Sequence, residues 1–168
     1  DVVNPVWKAS DMLPTPASRN ILYGSDASTA KALTWANLSS SEKTALGNSS
    51  DVLDYIRGDT SKEKRNGGAL RNRSKLLGDL VNSSPELVAE PYDLSFHRYS
   101  WAGANSYRAF IEGAAKTRAK MIYVGGNDGM LHGFNADTGV EVMAYIPRSV
   151  MAPISGDTVN VLKKYSEP

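Results

Sequence analysis

The chain contains no cysteine. Disulfides, thiol catalysis and cysteine-based zinc sites are thereby excluded. Histidine is almost as scarce, with two in 168 residues. His97 and His132 stand far apart, and neither has a zinc-protease spacing, so a zinc site would need other partners. No charge of one sign dominates: 19 basic against 18 acidic residues leave a net charge of +1. That balance argues against a broad nucleic-acid or anionic-membrane surface. Long hydrophobic runs are missing, and no window reaches the apolar length of a membrane span. The opening residues DVVNPVWKAS carry no secretory-leader pattern, as expected of a mature form or of a piece of a longer chain. Neither a phosphate-binding glycine loop, a serine nucleophile elbow nor a paired-carboxylate motif is present.

What is present is an ordinary globular composition with 41% hydrophobic residues, enough to bury a core in one domain of 168 residues. Residues 1–18 hold three prolines and read as an irregular lead-in. A short β-like run, NILYGS, covers 20–25. A helix follows over 37–48, where Ser39 and Glu42 have capping-box spacing and Gly47 is a natural stop. A second helix over 50–58 places Val52, Leu53 and Ile56 on one face, with Ser50 as its N-cap and Gly58 after its end. Residues 59–75 are polar, basic and glycine-containing, a solvated loop by composition. Leu87–Ala89 read as a strand after Pro85, and 104–119 as an amphipathic helix weakened at Gly113.

The strongest pattern lies in 120–147. Three apolar runs, MIYVG, MLHGFNA and VEVMAYI, alternate with the turns Asn127-Asp128-Gly129 and Asp137-Thr138-Gly139, and Pro147 stops the last. With the strand at Leu87–Ala89 this makes four antiparallel strands, the unit of a β-propeller blade. The expected fold is mainly β with helical insertions: about one four-stranded blade of a propeller plus a helical lead-in. Within a partial propeller domain of 1–168, residues 1–75 form the lead-in with short helices and a basic loop. Residues 76–147 form the blade, interrupted by a helical insertion at 91–119, and 148–168 form a linker toward a next blade. Residues 20–39 look faintly like a degenerate copy of the blade, too weak to define an array.

Four groups of residues invite a functional reading. Arg57-Gly58-Asp59 is the tripeptide that integrins bind. As a receptor ligand it would need an exposed, curved loop; as framework, Gly58 ends a helix and Asp59 pairs with Arg65, Arg71 or Arg73. The basic run Lys62, Lys64, Arg65, Arg71, Arg73 and Lys75 has the charge for phosphate contact. It has no aromatics for base stacking and has acidic neighbours Asp59 and Glu63, so a solvated loop or arginines bridging fold elements fits it better. Asp128 and His132 could form an acid–base pair, or simply a tight turn beside a histidine on a strand. Tyr92, Phe96, Tyr99, Trp101 and Tyr107 cluster at the start of the insertion, either as a partner-binding face or as packing over the blade edge.

Three segments, 7–25, 52–85 and 121–147, resemble the opening of the C-terminal propeller domain of the PilC/PilY family of type IV pilus tip-associated adhesins. The carrying motifs are Tyr55-Ile56-Arg57-Gly58-Asp59, the run RNRSKLLGD at 71–79, Asn82-Ser83-Ser84-Pro85, and NDGMLH at 127–132. They occur in family order and leave out the insertion at 91–119. The resemblance implies an extracellular or cell-surface protein at the pilus tip or outer membrane, working with minor pilins in pilus assembly, attachment and twitching motility. It implies no catalysis. The family's calcium loop lies further along the propeller, and no Asp-rich calcium pattern occurs here; no cofactor is expected in this chain. Two other classes share parts of the pattern: quinoprotein-type propeller oxidoreductases, whose blades repeat the strand–DG–strand–TG order, and outer-membrane assembly scaffolds.

Overall fold

The computed structural model describes residues 4–168. Six strands form one mixed sheet: β1 (Ile21–Gly24), β2 (Ala30–Ala32), β3 (Glu86–Val88), β4 (Met121–Gly125), β5 (Leu131–Asn135) and β6 (Glu141–Ile146), in the spatial order β2-β1-β6-β5-β4-β3. The three pairings among β3, β4, β5 and β6 are all antiparallel. The turn at Asn127–Gly129 joins β4 to β5, where Gly129 takes the positive φ of 82° that such a turn requires.

The run at 20–25 does not start a separate blade. β1 adds to the same sheet, parallel to β6 with Leu22 opposite Tyr145. β2 then extends that edge antiparallel to β1. Parallel pairing needs a long crossover, and the intervening chain supplies it with the helices and loops between β2 and β6.

Those helices are α1 (Ser40–Ala45) and α2 (Ser50–Arg57). The capping box closes as the spacing requires: Ser39 Oγ accepts from the Glu42 amide at 3.3 Å, and Glu42 Oε2 accepts from the Ser39 amide at 2.7 Å. α2 begins one residue earlier than the cap expected at Ser50, with Ser49 in the extended cap position. Val52, Leu53, Tyr55 and Ile56 are its buried face. They join Ile21, Tyr23, Leu46, Met130, Ala144, Ile146 and Leu162 in one apolar cluster between the helices and the β1–β6 half of the sheet.

Two further regions complete the described fold. The helix at 104–119 is broken at Gly113 into α3 (Ala104–Glu112) and a 3-10 turn over Ala114–Thr117. Residues 148–168, the stretch expected to lead toward a next blade, carry α4 (Arg148–Met151) and α5 (Val161–Tyr165). Met151 and Leu162 are buried in the core cluster, because two apolar side chains on short amphipathic turns gain more from burial than from solvation.

Candidate functional site

The most concentrated chemistry in the molecule is a buried seam of charge. Arg19, Asp128, His132 and Glu141 are all under a tenth exposed. Arg19 forks onto Glu141, with Nε at 2.7 Å from Oε2 and Nη2 at 2.8 Å from Oε1. His132 stands between two carboxylates. Its Nδ1 is 2.8 Å from Glu141 Oε1 and its Nε2 is 3.1 Å from Asp128 Oδ1. Only an imidazolium donates from both ring nitrogens at once. Burial alone would push its pKa down, but the hydrogen bonds to Asp128 and Glu141 outweigh it and raise the value to about 9. For Asp128 and Glu141 burial acts upward, and His132, joined at Glu141 by Arg19, holds both below the usual carboxylate range.

Each member is placed by a specific local feature. His132 points inward because β5 alternates, with His132 and Phe134 on the buried face and Leu131 exposed. Asp128 belongs to the turn before β5 and also accepts the amides of Met130 at 3.3 Å and Gly78 at 2.9 Å. A Cβ at Gly78 would lie 2.5 Å from the Asp128 amide, so that approach requires glycine. Glu141 is inward because of a β-bulge. Gly133 pairs with Met143 and Phe134 with Glu141, which leaves Val142 as the extra residue. Strict alternation from Ala144 would have put Val142 inside and Glu141 out; instead Val142 is 47% exposed and Glu141 4%. The sequence suggested Asp128 with His132; Glu141 and Arg19 were the missing members.

The seam continues into the Arg57-Gly58-Asp59 tripeptide. Arg19 Nη1 donates to the Arg57 carbonyl at 3.1 Å. The Arg57 guanidinium donates to the carbonyls of Leu33 at 3.0 Å, Pro16 at 2.8 Å and Arg19 at 3.0 Å. Gly58 is buried and ends α2 with a φ of 111°, the left-handed conformation that favours glycine. The Asp59 carboxylate folds back onto the Ser61 amide at 2.6 Å; that amide bond, more than any cation, holds its pKa below the usual range. Arg73, one of its expected partners, takes the Asp59 carbonyl at 2.8 Å and the fully buried Glu63 carboxylate at 2.9 Å.

That second centre organises the basic run. Glu63 accepts from Arg73 and, at 2.6 Å, from Arg65. Arg73 also reaches the Tyr55 carbonyl at 2.7 Å and lies over the Tyr55 ring at 3.6 Å. Arg71 lies over the Tyr165 ring at 4.2 Å. Among the described residues no group of three or more His, Cys, Asp or Glu is arranged to hold a metal ion, and no helix is long and apolar enough to cross a membrane.

The aromatic residues form a separate surface. Phe96 packs against Trp101 edge-on at 6.4 Å and against Tyr107 at 5.3 Å, and His97 stacks on Tyr107 at 6.3 Å. Trp101 Nε1 donates to the Phe96 carbonyl at 2.6 Å. The Tyr107 hydroxyl accepts from the Leu94 amide at 2.8 Å. Tyr107 is thus the internal post of the cluster. Tyr92, Tyr99 and Trp101 are 84, 66 and 51% exposed, and Phe96, Tyr99 and Trp101 line an open apolar depression.

An antiparallel meander with tight Asp-Gly and Thr-Gly turns, pinned by inward-facing ionic groups and decorated by an insertion, defines a β-propeller-type sheet. Comparison with known proteins makes the class specific. The family model for the PilY1 beta-propeller domain matches residues 77–167. The PilY1 homolog of Xylella fastidiosa, named a type IV pilus biogenesis factor, is 39% identical over 150 residues, covering 89% of this chain and 12% of that protein. The type IV pilus biogenesis factor PilY1 of Pseudomonas aeruginosa strain PAK is 38% identical over 165 residues, covering 89% of this chain and 14% of that protein. The chain belongs to the PilY1 family and carries part of its propeller domain. It spans about an eighth to a seventh of the length of these relatives. No solved structure matches it.

Proposed function

We propose that this chain serves type IV pilus biogenesis and surface adhesion by non-catalytic binding at the pilus tip, with minor pilins as its partners. The observation that carries the reading is the likeness to pilus biogenesis factors at 38–39% identity over 89% of the chain. On this reading the protein acts outside the cell or at its surface. The sheet is the rigid frame and the insertion at 91–119 is the contact surface. Exposed Tyr, Trp and Phe side chains supply apolar area with few rotatable bonds, the usual make-up of a binding hot spot. Burial of Asp128 and His132 supports a structural rather than an acid–base role, since a general base must reach its substrate. The carbonyl bonds of the Arg57 guanidinium support a framework role for Arg57-Gly58-Asp59, because a displayed ligand needs that group free.

The test is deletion of the gene in its own bacterium, scoring surface pili, twitching and attachment, followed by complementation. Wild-type complementation should restore all three. A Tyr99→Ala, Trp101→Ala double variant, present at normal levels, should restore them poorly. Unchanged piliation after deletion would overturn the pilus reading. Full rescue by the double variant would remove the insertion from it.

A further inference from the structure

Three of the four arginines that are at least half-buried have committed their guanidinium groups. Arg19 binds Glu141 and the Arg57 carbonyl. Arg57 binds three carbonyls, and Arg73 binds Glu63, Tyr55 and Asp59. Arg71 is the exception. Its backbone amide is fixed to the Ser166 carbonyl at 2.9 Å, and its guanidinium lies on Tyr165 at 4.2 Å. Yet its Nε is buried with no hydrogen-bond partner, and no carboxylate of the described residues comes within salt-bridge distance of it. A half-buried cation held against the Tyr165 ring, with only the phenol groups of Tyr55 and Tyr165 beside it and no carboxylate as counter-ion, calls for an anion.

Arg71 lines a polar cavity of about 450 Å³, large enough for a side chain or a short peptide end rather than a lone ion. Neutral donors surround it. Asn72 uses its Oδ1 on the Arg65 amide at 2.8 Å, which leaves its Nδ2 hydrogens free. Asn127 and Ser74 also face the cavity. The remaining charges are accounted for. Arg73 is matched by Glu63 at 2.9 Å. Lys75 holds Asp11 at 2.8 Å in an exposed, exchangeable pair. Asp79 is the one carboxylate on the lining and is exposed.

We infer that this cavity is a binding site for a carboxylate presented by an acidic peptide segment, with Arg71 as the anchoring residue and Asn72 and Asn127 as supporting donors. The stacked guanidinium offers a flat edge of paired N–H groups, the geometry that a planar carboxylate matches with two parallel bonds. The site is independent of the aromatic insertion and of the pilus reading.

The experiment is fluorescence anisotropy of a labelled Asp-Glu-Asp-Glu peptide with the full chain, alongside the Asn-Gln-Asn-Gln peptide, with inorganic phosphate as competitor. The acidic peptide should bind and weaken with salt; the amide peptide should not bind. Arg71→Gln should weaken binding at least about tenfold, and Arg71→Lys should recover only part of it. Circular dichroism checks the fold. Should Arg71→Gln lose structure, Asn127→Asp, which places a negative charge in the cavity, should produce a comparable loss. Equal binding of the amide peptide, or undiminished binding by folded Arg71→Gln and Asn127→Asp proteins, would overturn the assignment. So would displacement by phosphate at or below the peptide's own concentration, which would mark a site for a tetrahedral anion.

Discussion

The seam through Arg19, Glu141, His132 and Asp128 and the insertion at 91–119 are opposite solutions to the placement of polar and apolar groups. In the seam, charged groups are buried and each is matched at 2.7 to 3.1 Å. In the insertion, large apolar rings stand in water, with Tyr92 at 84% and Tyr99 at 66% exposure. The seam ties three sequence-distant regions together: the lead-in through Arg19, the β4–β5 turn through Asp128 and the bulge of β6 through Glu141. The insertion mostly contacts itself. The difference teaches that the buried ionic residues hold the frame, while the exposed aromatics pack on one another within the insertion.

The comparison breaks most sharply at Glu141. Glu141→Ala leaves Arg19 and His132 buried without their shared counter-ion, and removing one member of a buried ionic set costs about 3–5 kcal/mol. Chemical denaturation should show a loss of that size, seen as a large drop in midpoint. Next in size is pH. The His132 pKa is raised from 6.5 to about 9 in the folded state. Its contribution is therefore complete below pH 6.5 and is lost as the pH rises through about 9, on the order of 3 kcal/mol in all. Asp128 and Glu141 are shifted the other way, so their contribution exists above the usual carboxylate range and is lost on acidification. Thermal melts across pH should give a plateau that falls at both ends. In His132→Gln the alkaline fall should vanish and the acid fall should shrink, leaving mainly the part that Arg19 supplies at Glu141.

How much of this was legible in the sequence follows from which force set each element. The meander at 121–146 could be read because turn chemistry and strand alternation agree there. The capping box at Ser39 and Glu42 could be read because its partners are local. Asp128 and His132 could be paired because one tight turn separates them. Glu141 could not: alternation assigns it to solvent, and only a bulge at Val142, a product of tertiary pairing, turns it inward. Arg19 and Glu63 were hidden for a related reason. Each becomes a core residue through a partner far along the chain or in a loop whose composition looks solvated. The strand β1 was visible, but its parallel place beside β6 was not, since pairing over more than a hundred residues leaves no local trace.

A smaller effect is expected at the junction between the seam and the tripeptide. Arg57→Lys keeps the charge but cannot reproduce a fork onto three carbonyls. A loss of about 1–3 kcal/mol is expected from buried acceptors left unsatisfied. Asp59→Glu, which moves only the carboxylate that caps the Ser61 amide, should cost less than about 1 kcal/mol. Immobilised integrin then separates framework from ligand. With Arg57 committed, wild type and folded Asp59→Glu should both fail to bind; selective binding by the wild type would show that the tripeptide can leave its carbonyl partners.

The smallest stability effect should fall in the insertion, and there the functional effect should be largest. Tyr99→Ala and Trp101→Ala remove rings that are 66 and 51% exposed, and substitutions at such surface positions usually stay within about 0.5 kcal/mol. Trp101 also gives up one hydrogen bond to the Phe96 carbonyl, an exposed acceptor that water satisfies. Denaturation midpoints of both variants should match the wild type, while binding to purified minor pilins should weaken at least tenfold. A loss of stability near that of Glu141→Ala would instead make the aromatic cluster part of the frame. In that case the distinction between a charged interior that holds and an aromatic surface that binds would fail.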